Sequence, residues 1–253
     1  MLKTKLYNGT IEVQFDELRH KYYVNGKRRP GVTTYCGVID KSKALVPWAV
    51  KKAVEYIRVH LEDLKKGKIL IEEFNQNEIL YGAKNEADRE KNVAAEIGKA
   101  IHKWVEDYAN KKKPEMPEDK KILNGVNAFL DWIKEEKFKI KHSEMIVYSK
   151  KYDFVGTQDM ELEKNEKFYL GDIKTGKGIY NEMRLQTAAY MEARQEESKK
   201  KYDGRFLIQL NKETGEFFPY FLDYQKGEYE RDFKAFIHCK AIYDWQKIVK
   251  LSS

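Results

Sequence analysis

Two cysteines, five prolines and no long apolar run set the first limits on this chain of 253 residues. Cys36 and Cys239 stand far apart without metal-ligand spacing, which argues against a disulfide framework, a cysteine zinc site and a four-cysteine iron–sulfur cluster. No stretch approaches the roughly 20 apolar residues of a membrane span. The opening MLKTKLYNGT lacks an apolar segment of signal-peptide type. Internal repeats and low-complexity linkers are also missing. The expectation is a soluble intracellular protein with no membrane partner.

Hydrophobic residues at 42% and aromatics at 13% are enough for the chain to fold rather than stay disordered. The length suits one or two domains with a sizeable core. A net charge of +7 fits a polyanionic partner, although a lysine-rich genome produces the same excess, so charge alone does not decide.

Residues 11–24 alternate weakly and lead into the turn pair Asn25-Gly26, which predicts a small hairpin ending in the basic stretch Lys27-Arg28-Arg29-Pro30. A helix follows, with Val46, Val50, Ala53, Ile57, Leu61 and Leu64 on one apolar face and Pro47 tolerated in its first turn. The pattern predicts further helices over about 70–80, 86–111 and 118–136, the third carrying Val93, Ile97, Ile101 and Val105. HSEMIVYS, YDFVGTQDMELE and KFYLGDIKT then read as successive strands. A helix over about 180–199, the strands RFLIQLN and EFFPYFLDY, and a helix over about 228–249 complete the order β-β-β-α-β-β-α. The simplest architecture is one α/β core behind a helical N-terminal elaboration.

The stretch FYLGDIKTGKG, residues 168–178, admits three readings: a phosphate cradle, a metal-dependent hydrolytic site, or a charged strand end. A P-loop requires Ser or Thr after its lysine, and Gly178 stands there instead. The strand pattern also runs on through Asp172, where such a loop would already be turning, so no nucleotide cofactor is expected. A hairpin turn centred between Asn165 and Glu166 places Asp159 opposite Asp172, with β-carbons ~4.5–5.5 Å apart on one face. Lys174 shares that face by the two-residue strand repeat, and Ile173 points to the core. Two opposed carboxylates repel unless a cation lies between them, and hard oxygen ligands suit Mg²⁺ or Mn²⁺. The bland alternative is that these charges decorate a solvent-facing strand.

The neighbouring segments narrow the choice. Gly98-x-x-x-His102 and Gln186-x-x-x-Tyr190 each place two residues on one helix face. In chain order the series is G-x-x-x-H, an acidic strand start at Glu144, Gly156-x-x-Asp159, Asp172-x-Lys174 and Q-x-x-x-Y. It resembles the PD-(D/E)XK nuclease superfamily, and within it the RecB/AddB-like exonuclease branch. His20-x-Tyr22-x-x-x-Gly26, the Val32-Thr33-Thr34 segment and Leu45-x-x-Trp48-Ala49 are similar to the leader of phage-type members.

The resemblance implies an α/β fold with a restriction-endonuclease-like core, a central mixed β-sheet flanked by helices. Residues 1–253 would form a single nuclease domain, with 1–90 as a hairpin and helical elaboration arching over DNA and 91–253 as the catalytic core. It further implies that Asp159, Asp172, the backbone carbonyl of Ile173 and His102 hold one or two Mg²⁺ or Mn²⁺ ions, with Glu144 reaching a second ion or buttressing the first. Lys174 would be the catalytic lysine, and Gln186 and Tyr190 would line the site. The implied activity is hydrolysis of DNA phosphodiester bonds by an exonuclease acting on single strands or ends, in the cytoplasm of a prokaryotic or phage-infected cell. A non-cleaving DNA-binding protein and a structure-specific endonuclease are the alternatives. Unlike iron–sulfur relatives, this chain has too few cysteines for a cluster. Lys27, Arg28, Arg29, Lys177, Arg184 and Tyr190 are the expected DNA contacts. The clusters Lys111–Lys113 and Lys199–Lys201 are available to track phosphates, and Tyr22, Tyr23 and Tyr35 to stack on bases.

Overall fold

The computed structural model describes residues 1–69, 75–223 and 225–249. Among them lie two β-sheets and six helices, a mixed α/β architecture. No helix among the described residues is long and apolar enough to cross a membrane.

The N-terminus is a four-stranded antiparallel meander where a hairpin was expected. Its strands are β1 (Leu2–Leu6), β2 (Ile11–Asp16), β3 (Lys21–Val24) and β4 (Lys27–Arg29). The Asn25-Gly26 turn falls as read: Val24 pairs with Lys27, and both turn residues have positive φ, 46° and 75°. That is the backbone a two-residue hairpin demands. The added strand β1 enters through Tyr7-Asn8-Gly9, a run of three positive-φ residues that periodicity alone does not reveal. Leu6, Val13, Tyr22 and Val24 form an apolar face that packs on Tyr148 and Val155 of the second sheet.

The short helix α1 (Val32–Cys36) leads on to α2 (Ser42–Lys65), α3 (Gln76–Ala109) and α4 (Lys120–Glu136). The central sheet follows with β5 (Lys139–Ser149), β6 (Phe154–Lys164), β7 (Lys167–Lys174), β8 (Gly204–Leu210) and β9 (Phe217–Leu222). Helix α5 (Asn181–Ser198) connects β7 to β8, and α6 (Glu228–Ile248) ends the described chain. The strands lie side by side in sequence order, antiparallel except for the parallel pair β7–β8 that α5 makes possible. The order from β5 to α6 is the one read from the sequence.

Helices α1, α5 and α6 cover one face of this sheet, burying Tyr35, Phe154, Leu170, Ala189, Tyr190 and Phe236 in one core. On the other face α4 packs against β8 and β9. The last turns of α3 bury Ile101, whose Cδ1 lies 2.3 Å from where a Cβ on Gly125 of α4 would stand. Arg205 on β8 is fully buried yet fully engaged. It donates to Asp223 at 2.6 and 2.9 Å, to Asp232 at 2.7 Å and to the carbonyl of Arg184 at 2.8 Å. A guanidinium fork buried in this way is tolerated because its charge and its donors are met together.

The β6–β7 hairpin has the expected register. Lys164 pairs with Lys167 across Asn165 and Glu166, both at positive φ, and the ladder continues to Met160–Gly171. It stops one pair short of Asp159 and Asp172. The neighbouring β5–β6 ladder also breaks at this level: Met145 pairs with Gln158 and Ser143 with Met160, leaving Glu144 and Asp159 outside it. Before the break, Phe154 and Gly156 face α5, while Val155 and Thr157 face the N-terminal sheet. After it, the odd-numbered Glu161 faces α5 through Arg194. The side-chain alternation of β6 therefore slips by one residue at Asp159.

Two compact units are distinguished, Met1–Ile39 with Ala100–Ser253, and Asp40–Lys99. Within the second unit, the expected helices over 70–80 and 86–111 form the single helix α3 from Gln76 onward, and residues 70–74 lie outside the described residues. Gly82, between the two expected helices, is a helical residue where α2 comes close: a Cβ there would lie 2.3 Å from the Tyr56 hydroxyl. The apolar face expected of α2 is no core face. Val46 is 59% and Val50 58% exposed, and α2 has no buried residue.

Candidate metal and catalytic site

Three elements deliver the polar groups. His102 comes from the last turns of α3, Glu144 from β5 and Asp159 from β6. Their ligand atoms all lie within 4.8 Å of one another. The His102 Nδ1 is 3.6 Å from Asp159 Oδ2 and 3.8 Å from Glu144 Oε1. The slip in β6 produces this convergence, because a regular pleat would point successive side chains to opposite faces. Glu144 has φ 49°, alone among the described strand residues in the left-handed region. That conformation costs on the order of 1–3 kcal/mol for a residue with a side chain. Strain of this kind persists where the surroundings hold the residue for a purpose.

The Asp159 carboxylate accepts the Ile173 N–H at 2.7 Å, so the group that would have closed the β6–β7 ladder bonds to a side chain instead. Asp172 is completely buried, and neither carboxylate oxygen has a hydrogen bond. The Lys174 ammonium stands 2.6 Å from its Oδ2 as an ion pair that lacks hydrogen-bond orientation. Lys174 also donates to Gln186 Oε1 at 3.3 Å, and Gln186 Nε2 donates to the Tyr190 hydroxyl at 3.0 Å. The i, i+4 pair on α5 thus backs the lysine.

Charge crowding shows in the acid–base behaviour. Burial pushes Asp172 up to about 6, with Lys174 opposing and Asp159 reinforcing the rise. Burial also raises Asp159, opposed by His102 and reinforced by Glu144. Burial pulls His102 down, but Asp159 and Glu144 outweigh it and lift the imidazole to about 9. Burial likewise opposes the charge on Lys174, and Asp172 and Asp159 more than restore it. A cluster of carboxylates whose ionisation is disfavoured in the bare protein is one that a cation would stabilise. Carboxylate oxygens with one imidazole nitrogen fit Mg²⁺ or Mn²⁺, and Asp172 with its unsatisfied oxygens adjoins the triad.

Gly156 and Tyr190, two members of the sequence series, prove to be in contact. A Cβ on Gly156 would fall 2.4 Å from Tyr190 Cε1, so the glycine makes room for the ring that supports Gln186. Gly156→Ala should therefore cost about 1–3 kcal/mol in chemical denaturation, with a loss of activity as Tyr190 moves. A variant with unchanged stability and activity would show that the ring has space to spare.

Other expected residues are placed elsewhere. Arg184, one of the expected DNA contacts, is held by Glu228 at 2.5 Å and Asp232 at 3.2 Å across the α5–α6 contact. Arg29 pairs with Asp153 at 2.8 Å, while Lys27 and Arg28 are exposed on β4. Tyr22 and Tyr35 are buried and cannot stack on a base; Tyr23 is half-buried. Lys112 pairs with Asp107 at 2.8 Å, and Lys200 lies 3.5 Å from the Phe168 ring centre. Sequence reasoning missed one wall of the site: the Tyr22 hydroxyl lies 2.9 Å from Thr157 Oγ1, next to the β6 slip, and burial pushes the phenol up to about 12. The H-x-Y pattern of the leader was the only signal pointing to it.

No protein-family model matches the chain, and a search of the curated proteins finds no match.

Proposed function

We propose that this protein is a divalent-metal-dependent deoxyribonuclease, an exonuclease acting on single-stranded DNA or DNA ends, built on a PD-(D/E)XK-type core. The observation that carries the reading is the convergence of His102, Glu144 and Asp159 from three separate elements beside the ion pair of Lys174 with the buried Asp172. In this reading His102, Glu144 and Asp159 hold the ion, with Asp172 completing the acidic wall. A bound Mg²⁺ or Mn²⁺ ion supplies Lewis-acid polarisation of the phosphoryl oxygen and a bound water of lowered pKa. Lys174, positively charged and aimed by Asp172 and Gln186, stabilises the negative charge that develops on the phosphoryl oxygens. Gln186 and Tyr190 keep that ammonium from swinging into solvent, so its position is set before substrate arrives.

The direct test is digestion of end-labelled single- and double-stranded DNA in Mg²⁺, Mn²⁺ or EDTA. The expected outcome is loss of the end label with release of mononucleotides from single strands, abolished by EDTA. Cleavage that persists in EDTA would overturn the reading, and long internal fragments would replace the exonuclease with an endonuclease.

A further inference from the structure

The end of α3 carries a second face, apart from the candidate metal site. Trp104 and Tyr108 lie on it, their rings stacked 5.5 Å apart at 14°. His102 is two residues before Trp104, and side chains two apart on a helix stand about 200° apart round its axis, so it faces elsewhere. Past α3 the chain folds back over this face. The Lys111 N–H donates to the Tyr108 carbonyl at 3.0 Å, and Lys111 and Lys113 both have positive φ, 60° and 51°. The Trp104 indole N–H donates to the Glu115 carbonyl at 2.9 Å, which ties the returning loop to the ring beneath it.

Together with Leu130 and Ile133 of α4 and Phe138 and Ile140 beyond it, these groups line a cavity of about 680 Å³. Its only charged lining residues among the described ones are the exposed Lys111 and Lys113. The acids on the same end of α3 are committed to other partners. Lys103 holds Glu106 and Asp107, each at 3.0 Å, and Lys112 holds Asp107 at 2.8 Å. A second cavity, of about 520 Å³, shares Phe138 as a wall. The Tyr169 and Phe206 rings lie 5.5 and 5.2 Å from that of Phe138, and Lys164 and Lys167 also line the space. Its one lining acid, Glu136, is paired with Lys164 at 3.0 Å.

The chemistry of the lining selects the occupant. Aliphatic and aromatic walls with cations at the edge match apolar side chains flanked by carboxylates. A nucleobase in the larger cavity would bury polar edges without partners, since the Trp104 N–H is already given to Glu115. Two adjoining cavities, each with its own lysines, suit an extended chain that presents several apolar groups in succession.

We propose that this surface binds an acidic peptide segment of a partner protein. Its apolar side chains enter the two cavities that share Phe138, and its carboxylates meet Lys111, Lys113 and Lys167. This is a binding activity separate from the proposed hydrolysis, and it stands whether or not the protein cleaves DNA.

The test is binding of a fluorescein-labelled peptide of alternating aspartate and leucine, followed by fluorescence anisotropy. Alternating aspartate–serine and lysine–leucine peptides of the same length are the controls. The aspartate–leucine peptide should bind saturably and about tenfold or more tightly than either control. Lys111→Glu with Lys113→Glu, both at exposed loop positions, should weaken it by about tenfold. The same change of net charge at the exposed Lys3→Glu with Lys5→Glu should leave it unchanged, which separates local contact from overall charge. Ile133→Gln, with its melting temperature measured alongside, should weaken the aspartate–leucine peptide and leave the aspartate–serine peptide as it was. Absence of saturable binding, equal binding of the lysine–leucine peptide, or an equal loss in the Lys3 and Lys5 variant would overturn the proposal. So would oligothymidylate that displaces the peptide and loses the same affinity in Ile133→Gln, because the cavity would then belong to nucleic acid.

Discussion

On the proposed function, Lys174→Met should lower DNA cleavage by about a hundredfold to a thousandfold, the scale expected when a charge aimed at the transition state is removed. The loss should fall on kcat, with KM for DNA changed little, because the half-buried Lys174 is held by Asp172 and Gln186 for the charge that develops in the transition state. The metal site should survive: Mn²⁺ still raises the melting temperature of the variant, since His102, Glu144 and Asp159 are untouched. The structural consequence falls on Asp172, which loses the cation that most opposes its protonation and rises further above its already raised value of about 6. At neutral pH it takes up a proton instead of remaining as a buried charge, so the fold tolerates the change. Cleavage within tenfold of wild type, measured at saturating DNA and Mn²⁺, would remove Lys174 from the chemistry.

Asp159→Asn separates stability from function. The asparagine carbonyl oxygen can still accept the Ile173 N–H, so the bond that replaces the missing ladder pair is kept. The carboxylate charge beside Glu144 and Asp172 is lost, and with it the repulsion that raises Asp159 and Asp172 in the bare protein. In EDTA the variant should melt no lower than wild type, yet the Mn²⁺-induced rise and DNA cleavage should both disappear. In wild type, metal uptake should strengthen by about tenfold per pH unit up to the His102 value of about 9, because a ligand imidazole must first give up its proton. In Asp159→Asn, His102 loses the largest influence holding that proton, and its titration followed by NMR should move down. An Mn²⁺-induced stabilisation equal to that of wild type would show that Asp159 is not a ligand.

Much of this arrangement is local and was legible in the letters. The turn at Asn165-Glu166 dictates the pairing of β6 with β7, and the two-residue repeat puts Asp172 and Lys174 on one face. Helical spacing puts Gln186 under Tyr190, and the Asn25-Gly26 pair specifies its hairpin. Each rests on interactions between residues that are near in sequence or joined by one tight turn, where backbone geometry leaves few choices. The β-β-β-α-β-β-α order was readable for the same reason.

Other features depend on contacts that no local pattern contains. Hairpin arithmetic predicted a direct Asp159–Asp172 pair, but the ladder ends one step earlier and β6 slips, so that Asp159 meets His102 and Glu144 instead. Glu144 reaches the triad through a left-handed backbone that only its surroundings can impose. Arg184 and Arg205 look alike as basic letters, yet both are committed to carboxylates of distant segments. The apolar stripe of α2 predicted burial, and the structure leaves it open. Sequence alone determined which residues can carry the chemistry and on which elements they ride. Tertiary structure decided which of them meet, because convergence of α3, β5 and β6 at one point depends on how whole elements pack and where a strand gives up its regular pleat.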